Sequence, residues 1–499
     1  LEHKKYRLED SLKAVEDEIA ERKKQKKEVE APSKLVVASV GTLMSIKNIN
    51  ISLSRNSVTN LPGFTPVPKF MGFDESWDAP GLAFLLGSQN PNILDKAQAN
   101  GWLAQTDLQN QPFLQTRQNQ LSIKTDLEPI KDFKITLEAS QSNNYSYSEQ
   151  RRWDEDKGIF ETQAATRTGG FTQTIFAIPT AFGSSRSDNS SSTFEEFEDN
   201  LLIVKERLDN SLADTLIGRG VRFDTTSQDV LVPAFLAAYL GKDANSIDLT
   251  PVRKSIPIPA WRITYNGLAK IPALKEKFKS ISITHGYKAE YSTGSYTSSL
   301  KYVDGSDGID FSDFDEGEIP YGQYLTDENF RGNLVPVPIL VYNDVSISEN
   351  FSPLIGINIR TKKDISIKLD YNKGRQVGLS LANSQVTEQK NNNITMDVGF
   401  IKKEMKLPFN GKTLKNDVTF RMAFSLTDTK TTQHRIGENS IVTQGNLQWQ
   451  LRPTISYEIN KRTQFQFYFE RTVNDPKVSN QFKRTTTAFG AQLRFNLAQ

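Results

Sequence analysis

The stretch NLQWQLRPTISYEIN, residues 446–460, decides the fold. Leu447, Trp449, Leu451, Ile455, Tyr457 and Ile459 occupy odd positions; Gln448, Gln450, Arg452, Thr454, Ser456 and Glu458 occupy even ones. Successive side chains of a strand point to opposite faces, so the segment reads as a strand with one greasy and one wet face. The question it raises is whether the greasy face meets a protein core or lipid.

The same division recurs along the chain. DVTFRMAFSLTD (417–428) alternates Val418, Phe420, Met422, Phe424 and Leu426 with polar or small residues. TQFQFYFERTV (463–473) sets Phe465, Phe467 and Phe469 against Gln464, Gln466 and Glu470. NINISLS (48–54), QLSIKTDLE (120–128), FKITLEAS (133–140), ISITHGYKAEY (281–291) and TTTAFGAQLRFNL (485–497) follow suit, with odd positions apolar. Soluble strands peak at roughly 5–6 residues, whereas tilted membrane strands need about 9–11, and several of these alternations fall in the longer class. Their Glu, Arg, Gln and Ser positions suit a wet lumen. The reading is an all-β protein, a transmembrane antiparallel β-barrel.

Composition agrees with that class. The 499 residues carry a net charge of +2, which offers no basic field for nucleic acid. The chain has no cysteine, which excludes disulfides and thiolate metal sites. No apolar run reaches the roughly 18–20 residues of a membrane helix; LVPAFLAAYLG (231–241) is too short and holds Pro233. A chain spanning a membrane without such helices must do so as a barrel. The opening LEHKKYRLED has neither an initiator Met nor a signal peptide, so the chain is expected to be a piece of something longer.

Four regions are expected. Residues 1–31 are a charged helix, with Leu8, Leu12, Val15 and Ile19 at helical spacing. Residues 32–190 and 251–499 are barrel strands and loops. Residues 191–250 are a helical insertion, because Phe194, Phe197, Leu201, Val204, Leu208 and Leu212 recur every three or four positions. That insertion is expected outside any lipid band, at the lumen or an aqueous end. TKKD (361–364), Asn410-Gly411 and NKR (460–462) read as tight turns. Stretches near 384–393, 429–440 and 474–483 read as long polar loops, and 365–384 as one strand running through NKGR. Short turns alternating with long loops is the layout of outer-membrane barrels.

Catalytic chemistry finds little support. His3, His285 and His434 lie in unrelated patterns with no nucleophile or metal constellation. No cofactor or metal site is expected. The acidic DGSDGIDFSDFDEGE (304–318) spaces its aspartates by three, unlike a calcium-binding helix–loop–helix, and reads as a solvated loop. Pro66/Pro68, Pro257/Pro259 and Pro336/Pro338 remove two backbone donors from one side of an extended chain, marking strand entries, linkers or an unpaired edge. In GFDESWDAPG, Asp74, Glu75, Trp77 and Asp78 precede a Pro80-Gly81 turn and read as a packed structural loop rather than a cargo contact.

Two resemblances sharpen the reading. The final strand is similar to the C-terminal assembly signal of outer-membrane barrels through Gly490, Leu493 and Phe495, although Ala488 fills its polar slot. LPGFTPVPKFMGFDESWDAPGLAFLLGSQ (61–89), GWL (101–103), LVPAFLAAYLGKDA (231–244), IPIPAWRITYNGL (256–268) and FERTVNDPKVSNQFKRTTTAFGAQLRF (469–495) together resemble the C-terminal part of the SprA (Sov) family. These are the outer-membrane translocons of the type IX secretion system of Bacteroidetes. The resemblance implies part of a very large barrel, a passive pore for folded cargo that supports gliding motility. It also implies a PorV-type barrel, a periplasmic plug protein and secreted cargo as partners; the layout of short turns and long loops is what makes the last strand run inward and leaves the C-terminus periplasmic. A TonB-dependent transporter and a soluble β-rich adhesin are the alternatives.

Overall fold

A computed structural model describes residues 13–21 and 45–495, apart from 91, 163–164, 184–185, 187–188, 213, 250–255, 300–325, 330, 406–415, 461 and 479–480. The acidic loop, Asn410-Gly411 and His3 lie outside the described residues, as does most of the charged N-terminal segment. Within that segment residues 13–21 are helical (α1), with Val15 and Ile19 exposed.

One antiparallel sheet of 14 strands organises the rest. It begins with β1 (Ile46–Asn60), β2 (Phe113–Ile130) and β3 (Phe133–Glu149). The chain between β1 and β2 forms a loop unit with two short helices, α2 (Leu82–Leu85) and α3 (Ile93–Ala99). A small hairpin, β4 (Arg151–Asp154) and β5 (Ile159–Thr162), precedes β6 (Thr166–Ile175). The chain then leaves the sheet as α4 (Ser192–Ser211), α5 (Asp214–Gly218) and α6 (Gln228–Leu240), and returns as β7 (Ala260–Tyr265) and β8 (Phe278–Ser298). Both β6 and β7 pair with β3 on one side and β8 on the other, so they share one slot end to end. Next come a small pair, β9 (Thr326–Glu328) and β10 (Leu334–Pro336), and the short β11 (Leu340–Tyr342) against β8. A meander closes the order: β12 (Asp344–Thr361), β13 (Ile365–Ser380), β14 (Gln385–Lys402), β15 (Val418–Arg435), β16 (Ile441–Asn460), β17 (Thr463–Pro476) and β18 (Arg484–Phe495).

The strands outrun the alternation that revealed them. Of the stretches 384–393 and 429–440, expected as long loops, residues 385–393 and 429–435 belong to β14 and β15; the intervening turns span only 381–384 and 436–440. The physical reason is that polar side chains such as Gln389, Lys390 and Asn391 do not prevent ladder pairing, which runs unbroken from Gln385↔Ser380 to Phe400↔Ile365. The strand through NKGR, expected over 365–384, does run continuously from Ile365 to Ser380; the turn at 362–364 is tight, and Asn460 pairs with Thr463. The Pro257-Ile258-Pro259 segment is a strand entry whose one available donor, the Ile258 N–H, bonds the Thr174 carbonyl at 3.0 Å.

The helical unit has a conventional core. On α4, Phe194, Phe197, Leu201, Val204 and Leu208 are buried along one face, and every residue of α6 from Val230 to Leu240 is buried. Gly241 ends α6 at φ 61°, with Gly241 N–H bonding Ala238 and Lys242 N–H bonding Ala237, a Schellman arrangement that needs glycine's left-handed conformation. This core continues into the sheet through Phe171, Ile175, Tyr287, Ala289, Tyr291, Val345, Ile347, Phe351, Val377, Leu379 and Val386.

Candidate functional site

The candidate site is the sheet itself, read row by row across its register. One row runs Phe133, Tyr265, Ile283, Ile357, Leu369, Met396, Phe424, Leu451 across eight strands, apolar at every position. The adjacent row, on the opposite face, runs Lys134, Thr264, Thr284, Gly356, Asp370, Thr395, Ser425, Gln450, Thr472, Thr486. Directly paired residues share a face, so the two rows make one dry and one wet surface. The dry surface is exposed: Ile51, Ile355, Phe400, Phe467, Phe489 and Phe495 are between 40% and 78% accessible. An apolar patch this extensive marks an interaction surface rather than an ordinary monomer exterior.

The apolar belt occupies only one end of the long strands. On β15 it covers Val418 to Leu426, about 27 Å along the strand at ~3.4 Å per residue and about 21 Å in height at a ~40° tilt. Beyond Leu426 the same face continues with Asp428, Lys430, Thr432 and His434. Those upper positions meet the helical unit: the His434 ring stacks on Phe194 at 4.9 Å, and Lys430 Nζ donates to Asn189 Oδ1 at 2.7 Å. The helical unit therefore lies on the same face as the belt, beyond its edge, and not on the wet face. Of the two places expected for the insertion, a lumen or an aqueous end, this parity is compatible with an end beyond the belt.

A buried ion pair clamps the unit to the strands. Arg375 Nη1 and Nη2 donate to the carbonyl and hydroxyl oxygens of Thr180 at 2.8 and 2.7 Å, and Nη2 lies 3.2 Å from Glu349. The Tyr287 hydroxyl donates to Glu349 at 3.0 Å, and Thr180 donates to the Tyr239 carbonyl at 2.7 Å. Neither Arg375 nor Glu349 stood out in the sequence, because only the register makes them opposite partners.

The wet face neutralises itself. Lys134 pairs with Asp126, Lys288 with Glu290, Lys368 with Asp370, Arg421 with Asp397 and Arg452 with Glu470, at 2.5–3.6 Å. Between these pairs lie mainly Ser, Thr, Asn, Gln and Gly. Such a wall can hold water and slide past polar surfaces without a strong field of either sign.

The sequence-derived residues fall in two places, far apart in the chain. In the loop unit, the Asp74 carboxylate accepts from Ser76 Oγ at 2.5 Å and from the Asp78 and Ala79 N–H groups at 3.1 Å. The Ser76 hydroxyl first, and then these backbone donors, hold its pKa below the ordinary carboxylate value. Trp77, at φ 64°, packs on Phe73 and Phe70, and Glu75 reaches Lys69 at 3.5 Å. Pro80 is buried beside the exposed Asp78, and Gly81 turns at φ 95°. At the other edge, Leu493 and Phe495 lie on the belt face, opposite Phe465 and Thr463. Gly490 faces Tyr468, whose ring would meet a Cβ there at 2.8 Å.

His285 Nδ1 lies 2.7 Å from the Leu354 carbonyl and His434 Nδ1 2.7 Å from Ser440, both structural contacts. Among the described residues no helix is long and apolar enough to cross a membrane, and no group of three His, Cys, Asp or Glu could hold a metal ion. No protein-family model matches the chain, and no curated protein matches it.

Proposed function

We propose that this chain is part of the wall of a protein-conducting outer-membrane pore, the C-terminal part of an SprA (Sov)-type translocon of type IX secretion. The observation that carries the reading is the register row that is apolar across eight strands beside a wet row on the other face. A belt about 21 Å tall approaches the apolar band of outer-membrane barrels, roughly 25 Å. The self-paired wet face suits passive passage of folded cargo, so no catalytic residue is assigned. Among the described residues β1 and β18 each pair on one side only, which leaves both edges for further wall. The family resemblance supplies the partners: a PorV-type barrel, a periplasmic plug protein, secreted cargo and outer-membrane lipid. We read the C-terminus as periplasmic; with the belt toward the C-terminal end of β18, the helical unit beyond the belt's other edge then lies outside the cell.

The chain has no cysteine, so introduced ones are unique. Glu196→Cys on α4 should react with an impermeant maleimide on intact cells, and Lys363→Cys in the opposite turn only after permeabilisation. Recovery of the protein as a monodisperse monomer without detergent would sink the membrane reading and favour the soluble adhesin.

A further inference from the structure

Three turns lie side by side at the end of the belt opposite the helical unit. Residues 131–132 join β2 to β3, residues 266–277 join β7 to β8, and residues 362–364 join β12 to β13. Hydrogen bonds tie them together: the Asn266 N–H donates to the Asp132 carbonyl at 2.9 Å, and the Lys362 N–H to the Lys277 carbonyl at 3.0 Å. Two ion pairs repeat these links, Lys270 with Asp132 and Lys279 with Asp364. Lys131, Lys275, Lys277, Lys362 and Lys363 are exposed, and among the described residues none of them has a carboxylate partner. Glu276 is the carboxylate left over in the three turns.

These lysines adjoin the belt directly. Ile365 begins β13 and stands in the apolar row Ile365, Phe400, Phe420, Ile455, and the turn carrying Lys362 and Lys363 leads straight into it. Lys131 lies two residues before Phe133, the first member of the belt row described above. Lys277 immediately precedes Phe278, which stands opposite Thr361, two residues past Ile359 on the same face of β12. Ile130 and Ile271 stand exposed among the lysines, at 62% and 43%. Cationic and apolar groups therefore share one strip along the edge of the belt. A lysine can lay its apolar stem along such an edge and hold its ammonium group in water, at the depth of a bilayer's headgroups.

We propose that this strip binds the headgroups of anionic phospholipids in the leaflet at this end of the belt. The proposal rests on the membrane reading above. Charge complementarity selects an anionic partner, and continuity with the belt selects a lipid over an acidic protein. The acyl chains of a bound phospholipid would lie against Ile365 and the exposed Phe400 while its phosphate met Lys362 or Lys363.

The test uses the full chain, purified in detergent and first shown to need it, so that failure of the membrane reading registers separately. Binding of phosphatidylglycerol is compared with that of phosphatidylcholine in mixed micelles, with soluble poly-glutamate as a third probe. The unaltered protein should prefer phosphatidylglycerol. Lys362→Gln/Lys363→Gln should bind it up to about twenty-five-fold more weakly, at roughly fivefold per lysine, and Lys362→Arg/Lys363→Arg should retain it. Equal affinity of the unaltered protein for the two lipids would overturn the site, whether or not the variants fold; so would undiminished binding by the glutamine variant. Displacement of phosphatidylglycerol by poly-glutamate at equal charge concentration would overturn the lipid assignment in favour of an acidic protein.

Discussion

Replacing Arg375 by leucine tests how the helical unit is held. The guanidinium is 4% exposed and serves Glu349, itself 2% exposed, and both oxygens of Thr180. Removing one partner of a buried pair leaves the other charge uncompensated, at a cost of about 3–5 kcal/mol. The Thr180 carbonyl would also lose a donor, about 1–3 kcal/mol on its own, but the two losses share one cavity and do not add. Tyr287 still donates to Glu349, so the expected total is about 4 kcal/mol. The ladder between β12, β13 and β14 does not use this side chain, so the loss should appear as undocking of the unit and not as loss of the sheet. Limited proteolysis reads this directly: where opening is fast relative to cleavage, 4 kcal/mol raises the open population roughly a thousandfold. Cleavage within residues 192–247 should accelerate accordingly while heat-resistant mobility of the sheet persists. Glu349→Leu/Arg375→Leu removes both charges and should recover most of the loss. A single variant cleaved at the wild-type rate, or a double variant as labile as the single, would refute the clamp.

The belt face makes a second test: Leu493→Arg should lower folded yield in membranes by about 0–4 kcal/mol depending on depth, and Gln492→Arg should be silent. Equal tolerance of the two would contradict the assignment of faces. Burial pushes the Asp229 carboxyl up to about 6, so its ionised form costs stability. Because the folded value is raised, that cost is absent below about pH 4, grows through pH 6 and is complete above it. Asp229→Asn should therefore stabilise the helical unit by about 1–3 kcal/mol at pH 7.5 and leave it unchanged at pH 4, measured by thermal melting. Gly490→Val should reduce assembly more than Ala488→Val, since a Cβ at 490 meets the Tyr468 ring; equal yields would remove the close approach as a constraint.

How much of this was legible depends on where burial is local. Parity alone located the belt, because Phe465, Phe467 and Phe469, or Leu447, Trp449 and Leu451, alternate within one strand. The spacing of Phe194, Phe197, Leu201, Val204 and Leu208 located the helical unit equally well. The upper halves of the strands were hidden, since a stretch such as EQKNNN (388–393) is polar on both faces and carries no period. At that level it is Lys430 and His434 of the neighbouring β15 that meet Asn189 and Phe194, far earlier in the chain. The Arg375–Glu349 clamp was invisible for the same reason: only strand register brings positions 349 and 375 opposite each other.

The slot shared by β6 and β7 has a consequence for how this wall was assembled. Ile175 stands opposite Ala289 on β8, and Trp261 opposite Tyr287, so Ala260 falls beside Lys288 with no position skipped. On β3, Gln173 stands opposite Gln141 and Ala260 opposite Glu138, which sets Ile175 beside Ala139, again without a gap. Splicing Ile175 directly to Ala260 would restore one uninterrupted strand, in register with both neighbours and with its inside–outside alternation intact. The helical unit thus hangs from the sheet like a guest spliced into a finished strand, at a joint that costs no hydrogen-bonding position. Any folded guest whose two ends meet could occupy the same joint, and the wall would remain continuous beneath it.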